Sequence, residues 1–244
     1  NFTKDSYKAV YYLELAASQN NPDALNELGM MYYDGNHVEQ NAEKAIFYLK
    51  RASDYGNTNA IQNLGFIYND GKYFPKDEIK ATSYYSKAAG LQNYYAQYNL
   101  GLYFLNSYDS FVKDNYNFLS TYNLNQAKLI YSNIIQDGIF YLNLAANQNF
   151  YLAQYKLGCI YYEGEYVDQN IQKAIEYFRL SADQNYPEAC NKIGIIYIEG
   201  KHVQRDIKKG IHYLTLSANQ NNSYGQGCLG FIYINGEIAI QDLE

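Results

Sequence analysis

One spacing governs what this chain can fold into: thirty-six residues. Gly29, Gly65 and Gly101 stand 36 apart, and so do Gly158, Gly194 and Gly230. Each closes a six-residue phrase of the form Ala-x-x-x-Leu-Gly, beginning at Ala24, Ala60, Ala96, Ala153 and Ala189, with Ile193 in place of leucine in the fifth and Gly225 in place of alanine in the last. The step from Gly101 to Gly158 is 57, one period plus 21 inserted residues. A second glycine set (Gly35, Gly71, Gly164, Gly200, Gly236) keeps the register, as do Lys44-Ala45, Lys80-Ala81, Lys173-Ala174 and Lys209-Gly210. Repetition at such a period means stacked supersecondary units, each burying its apolar face against the next.

Each unit reads as two helices. Helix A carries Ala, Leu, Gly and an aromatic ring at 0, +4, +5 and +8 from the reference Ala, a helical face. Helix B starts at the Lys-Ala pair. Three residues before each of those lysines stand Asn41, Asp77, Asn170 and Asp206, whose side-chain oxygens can cap free helix amides. Helix B ends at Asn20, Gln92-Asn93, Gln148-Asn149, Gln184-Asn185 or Gln220-Asn221, and once at Gly56-Asn57, residues suited to a left-handed closing turn. Glycine inside helix A costs about 1 kcal/mol relative to alanine. Its recurrence predicts a close approach of helices A and B, with the +8 ring filling the space beside it.

Composition narrows the function. The 244 residues carry 25 Asp and Glu against 19 Lys and Arg, a net charge of −6, which argues against a nucleic-acid partner because phosphate binding needs clustered positive charge. No apolar run reaches the roughly 20 residues a membrane span needs. With 18% charged residues and 31 tyrosines, cohesion must come from rings and aliphatics. Cys159, Cys190 and Cys228 fall in three different repeat columns and form no C-x-x-C. They read as reduced thiols, with neither a zinc site nor a disulfide framework, which favours a cytoplasmic location over the ER lumen. The N-x-S/T triplets at Asn1 and Asn221 are what an Asn-rich chain contains by chance. Asn1 in place of Met, a start inside a helix B and an end at the capping position Asp242 predict a piece of a longer chain, without polar terminal caps.

Leu28, Gly29, Tyr32, Gly35, Val38, Lys44, Ala45, Tyr48 and Ala52, with their counterparts, resemble the Sel-one-like repeat, a relative of the tetratricopeptide repeat. The resemblance covers nearly the whole chain. It implies an all-α, right-handed solenoid of antiparallel helix-turn-helix repeats acting as an adaptor or scaffold for protein partners. No catalytic residue and no cofactor is implied. The repeats run 22–57, 58–93, 94–149 (with an insertion at 106–136), 150–185 and 186–221, with partial repeats 1–21 and 222–244. The second linker glycine of the family is replaced by His37, Tyr73, Tyr166 and His202, which puts the usual linker backbone in question because rings resist positive φ.

By analogy with tetratricopeptide arrays, helix A lines a concave wall through the columns −1, +2, +6, +9 and +10. Asn26, Tyr33, Gln62, Asn69, Tyr98, Tyr155, Tyr162, Asn191 and Ile198, at +2 and +9, are the expected protein-binding residues. The apolar +6 column (Met30, Phe66, Leu102, Cys159, Ile195, Phe231) either joins that strip or is buried against the next helix A. Asp34, Asp70, Glu163 and Glu199, at +10, stand where the helix dipole disfavours an acid, and the amides of the following glycine turn are the nearest compensation. A carboxylate clamp fails for want of cations, only Lys156 and Lys192 coming near. In the insertion, 106–122 reads as loop, and 123–136 carries Leu124, Ala127, Ile130, Tyr131 and Ile134 at helical spacing, lengthening the next helix B.

Three functional readings follow. The first is a non-catalytic scaffold binding a protein or peptide, with no small-molecule substrate, motivated by the repeat and by the lack of Walker, H-E-x-x-H or nucleophile-elbow patterns. The second is a regulatory arm of a larger chain bearing a catalytic domain such as a protein kinase, or a subunit of a ubiquitin-ligase complex of ER degradation. The third is β-lactam hydrolysis, implied only by resemblance to cysteine-stapled bacterial relatives whose paired cysteines this chain lacks.

Overall fold

A computed structural model describes residues 4–114 and 124–234. Among them are twelve helices and no strand. In chain order these are α1 (Lys4–Ser18), α2 (Pro22–Asp34), α3 (Ala42–Asp54), α4 (Thr58–Asp70), α5 (Glu78–Gly90), α6 (Tyr94–Asp114), α7 (Leu124–Asn147), α8 (Tyr151–Glu163), α9 (Ile171–Ala182), α10 (Pro187–Glu199), α11 (Ile207–Ala218) and α12 (Ser223–Ile234). Helices α2/α3, α4/α5, α8/α9 and α10/α11 pack as A/B pairs, and each B helix α3, α9 and α11 also packs on the next A helix. This is the expected α-solenoid. Two compact units divide it, Asn1–Ser107 and Tyr108–Glu244.

Local chemistry explains where each helix begins and ends. Asn41, Asp77, Asn170 and Asp206 each accept, through Oδ1, the backbone N–H of the lysine three residues on, at 2.9–3.0 Å. Their own backbone N–H groups donate to the carbonyls of Tyr32, Tyr68, Tyr161 and Tyr197 at 2.8–2.9 Å, so one residue ties the linker to both helices. Asn20, Gln92, Asn149, Asn185 and Asn221 close the B helices at φ 60–63°, and Gly56 at φ 82°. Of the four rings in the second linker column, His37 alone among the described residues takes a positive φ, 62°. The linker therefore accommodates the replacement in two backbone forms. Gly236 and Asp242 lie outside the described residues.

The glycine of helix A is where the pair touches. A Cβ built on Gly29 would lie 2.6 Å from Leu49 Cγ, one on Gly65 2.7 Å from Tyr85 Cδ1, one on Gly158 2.6 Å from Phe178 Cδ1, and one on Gly194 3.0 Å from the Gly210 carbonyl. All are tighter than the roughly 3.5–4.0 Å of favourable carbon contact. Beside each glycine lies a three-part staple. The +8 ring stacks nearly parallel on a helix-B tyrosine: Tyr32 on Tyr48, Tyr68 on Tyr84, Tyr161 on Tyr177 and Tyr197 on Tyr213, at 5.6–6.2 Å between centroids and 2–7° between planes. The capped lysine then sets its ammonium 4.1–5.3 Å from the centroid of that +8 ring. Each such cation–π contact contributes about 0.5–1 kcal/mol at an exposed site. The lysine column, which the sequence offers only as a landmark, is thus part of the packing.

The loop expected over 106–122 is corrected for its first part: α6 runs on to Asp114. Asn, Ser and Asp favour loops because they bond to backbone, and here Ser107 Oγ donates to the Tyr103 carbonyl inside the helix, at 2.7 Å. Aromatic packing overrides the preference. Phe111 stacks on Tyr131 at 4.1 Å, and Tyr108 meets Tyr131 and Tyr166 at 6.2 and 6.1 Å. The remainder, 115–122, lies outside the described residues. The helix expected from 123 is α7.

Candidate functional site

In the second unit the A helices α8, α10 and α12 of three successive repeats converge on a cavity of about 470 Å³, within the range of ligand-binding clefts. From α8 come Tyr155 and Tyr162; from α10, Glu188, Asn191, Lys192, Ile195 and Ile196; from α12 and its cap, Tyr224 and Asn222. Six of these nine fall in the wall columns −1, +2, +6 and +9; Lys192 is at +3, Ile196 at +7 and Asn222 at −3. Rigid packing sets the tyrosines. Tyr155 lies 5.8 Å from Phe178 and edge-on to Tyr186 at 5.2 Å, and Tyr162 lies 6.1 Å from Phe178. Phe178 is fully buried. Burial first, then the Cys159 side chain, Tyr186 and Glu188, raise the Tyr155 phenol well above its ordinary value, so it stays a neutral donor. Burial likewise raises the Cys159 thiol.

Two acceptors on α10 lack donors. Oε2 of Glu188 and Oδ1 of Asn191 are buried with no hydrogen-bond partner among the described residues, and each such group costs about 1–3 kcal/mol. Asn191 is 5% exposed, and its Nδ2 donates to Asn222 Oδ1 at 2.9 Å. Its Oδ1 faces Gly225, where a Cβ would lie 2.9 Å from it and from the equally unpartnered Ser217 Oγ. That crowding explains glycine where the other repeats carry alanine. Glu188 and Lys192 are spaced i, i+4 in the orientation that normally pairs. No ion pair joins them among the described residues. Lys192 Nζ lies instead 5.7 Å from the Tyr162 centroid.

Of the nine residues expected from sequence, Tyr155, Tyr162 and Asn191 are brought together here. Ile198 is half-buried and packs on the cluster of Ile211, Leu214 and Ile232. In the first unit Asn26 and Tyr33 are buried, at 8% and 3% exposure. Asn26 accepts from Asn63 Nδ2 at 2.9 Å. Tyr33 donates its hydroxyl to Asp70 Oδ2 and meets Phe66 and Tyr73 edge-on. Gln62 and Tyr98 are half-buried and Asn69 is exposed. Two of the four +10 acids find partners other than the glycine amides: the Tyr33 hydroxyl for Asp70, and Lys201 at 3.1 Å for Glu199. Of the +6 column, Phe66 and Phe231 are 37% and 70% exposed and the others half-buried. Glu188 and Tyr224 were missed as named site residues, though both occupy the −1 column.

The Sel1 repeat profile matches residues 2–21, 22–57, 58–93, 95–117, 152–186 and 187–222. No protein of curated function matches the sequence. Among solved structures, a Sel1 repeat protein from Oxalobacter formigenes is similar at 24% identity and a TM-score of 0.72, over 93% of this chain and 86% of that one. An immunity protein from Pseudomonas aeruginosa is similar at 21% identity and a TM-score of 0.55, over 89% and 75%. A sel1 repeat protein from Klebsiella pneumoniae subsp. pneumoniae, its assignment provisional, follows at 17% and 0.50, over 93% and 99%. Among the described residues no helix is long and apolar enough to cross a membrane.

Proposed function

This chain belongs to the Sel1 repeat family, and from that premise we propose that it is a non-catalytic scaffold whose A helices take up a segment of a protein partner. The observation that carries the reading is the cavity in which three successive A helices present rings, aliphatics and polar side chains together. Such a surface suits an extended peptide. Rings give contact area at low entropic cost, and a few placed polar groups give orientation. Regular spacing of the A helices offers equivalent positions along the segment. The expected location is cytoplasmic.

The test compares the chain with a Tyr155→Ala/Tyr162→Ala variant in affinity purification with mass spectrometry, alongside Ile79→Ser as a control at a site 85% exposed. Loss of a specific partner in the double variant alone, with the circular dichroism of all three alike, supports this wall. Retention of every partner removes recognition from it.

A further inference from the structure

We infer that copies of this chain join head to tail, α12 of one docking on α1 of the next. The inference is independent of the wall and its cavity. It starts from the staple that closes each of the four A/B pairs. The A half supplies a notch at the +5 glycine and the +8 ring beside it. The B half supplies a lysine, a tyrosine four residues on and the large residue after that, which in α3 are Lys44, Tyr48 and Leu49. α12 and α1 each hold one half alone. α12 is an A helix that packs on α11 and α10, and among the described residues no B helix follows it. A Cβ on its Gly230 meets nothing within 4 Å among those residues, and its +8 ring, Tyr233, is 58% exposed. The helix carries no charged residue and also exposes Phe231 and Ile234. A contiguous apolar patch of this kind marks an interaction surface.

α1 is a B helix that packs on α2, with no A helix before it among the described residues. Lys8, Tyr12 and Leu13 stand 36 residues before Lys44, Tyr48 and Leu49. Lys8 is exposed, Tyr12 is 66% exposed and Leu13 is half-buried, whereas Leu49 is fully buried. Ala45 and Ala81, whose carbonyls lie against the A-helix glycine, are buried, while their counterpart Ala9 is exposed. The two lone halves therefore match in kind and in register. Docked as α3 is on α2, the α1 of a second copy brings Leu13 to the Gly230 notch, stacks Tyr12 on Tyr233 and carries Lys8 over that ring. Two α12 helices face to face would set notch against notch and leave both Tyr233 rings without a lysine. A foreign helix would need the same lysine, tyrosine and leucine spacing, which the chain itself supplies. Because the two halves lie on different helices, the contact is heterologous, and association continues past a dimer until a ring closes.

Sedimentation velocity of the full chain, from about 1 μM to about 1 mM, tests this with two variants. Tyr12→Glu disables the B half, and Gly230→Lys fills the notch and sets a like charge against Lys8. Both positions are exposed, so each monomer should keep the circular dichroism of the parent. The expected result is a parent whose average mass rises with concentration past that of a dimer, while each variant alone stays monomeric. Their equimolar mixture, in which one intact α12 face meets one intact α1 face, should reach a dimer and stop there. A parent that stays monomeric throughout would overturn the inference and leave the two faces to other occupants. A variant that still associates alone would overturn it too, by placing the contact elsewhere or between like faces. So would a mixture that stays monomeric while the parent grows.

Discussion

Replacing Gly158 by alanine tests whether helix contact explains the recurring glycine. The new Cβ would stand 2.6 Å from Cδ1 and Cε1 of Phe178 and 3.2 Å from its Cγ, roughly 1 Å inside favourable carbon contact. The ring has little room to retreat: it is fully buried, with Tyr155 and Tyr162 5.8 and 6.1 Å away. Overpacking of this kind costs about 1–3 kcal/mol, and alanine returns about 1 kcal/mol of helix propensity. Gly158→Ala is therefore expected to lose up to about 2 kcal/mol. Gly230→Ala provides the opposite sign, because a Cβ there meets nothing within 4 Å among the described residues and only the propensity gain of up to about 1 kcal/mol remains. Urea unfolding of both variants and the parent, followed by circular dichroism at 222 nm, reads the difference. A Gly158→Ala chain stabilised as much as the Gly230→Ala chain would refute the contact explanation. Because Phe178 supports both cavity tyrosines, the same variant should also weaken peptide binding at the wall.

Other expectations follow from single contacts. Asp77 is held below the usual carboxylate range by the Lys80 backbone N–H first and then by its ammonium. Its contribution is present above the unfolded value of 3.8 and lost as pH falls through the lower folded one; Asp77→Asn should flatten the acid limb of a stability–pH curve below about pH 4, and an unchanged limb would count against it. Tyr33→Phe removes the hydroxyl that donates to Asp70. A loss of about 1 kcal/mol in urea unfolding is expected, since the exposed carboxylate regains water, and an unchanged midpoint would count against that contact. Burial pushes the Cys190 thiol up to about 11, and the residue is fully buried. A chromogenic disulfide at pH 8 should therefore react fully with three thiols only after unfolding, and prompt reaction of Cys190 in the folded chain would contradict this packing.

The frame of the molecule was legible because its determinants are local. Asn41, Asp77, Asn170 and Asp206, each three residues before a repeat lysine, cap helices through their own side chains, and Asn20 or Asn149 closes one through its own backbone. The close approach at Gly29 and Gly158 was readable too, since a costly residue repeated at one register implies a shared cause. Contacts between distant segments were less accessible. Composition sent 106–114 toward loop, and ring contacts between distant residues, Phe111 with Tyr131 and Tyr108 with Tyr166, show why it is helix. The partner of Asp70 lies 37 residues back. Within the site, Tyr155, Tyr162 and Asn191 came from column arithmetic alone. The acceptor at Glu188 did not, because nothing in the sequence reveals that Lys192, spaced to pair with it, lies over a ring instead.

The staple of ring, ring and lysine has a consequence for how such an array changes length. Tyr32, Lys44 and Tyr48 all belong to one repeat, as do Tyr161, Lys173 and Tyr177. The tie from the capping residue to the +8 carbonyl is also internal. Duplication or excision of a 36-residue block therefore copies or removes a self-fastened unit, leaving every other fastening intact. Contacts that cross from one block to the next, such as Tyr33 with Asp70 and Asn26 with Asn63, are disturbed only at the seam. Recombination can thus lengthen or shorten the array at the expense of one junction, while the cavity between α8, α10 and α12, which needs three particular neighbours in order, marks the stretch where such shuffling would be felt.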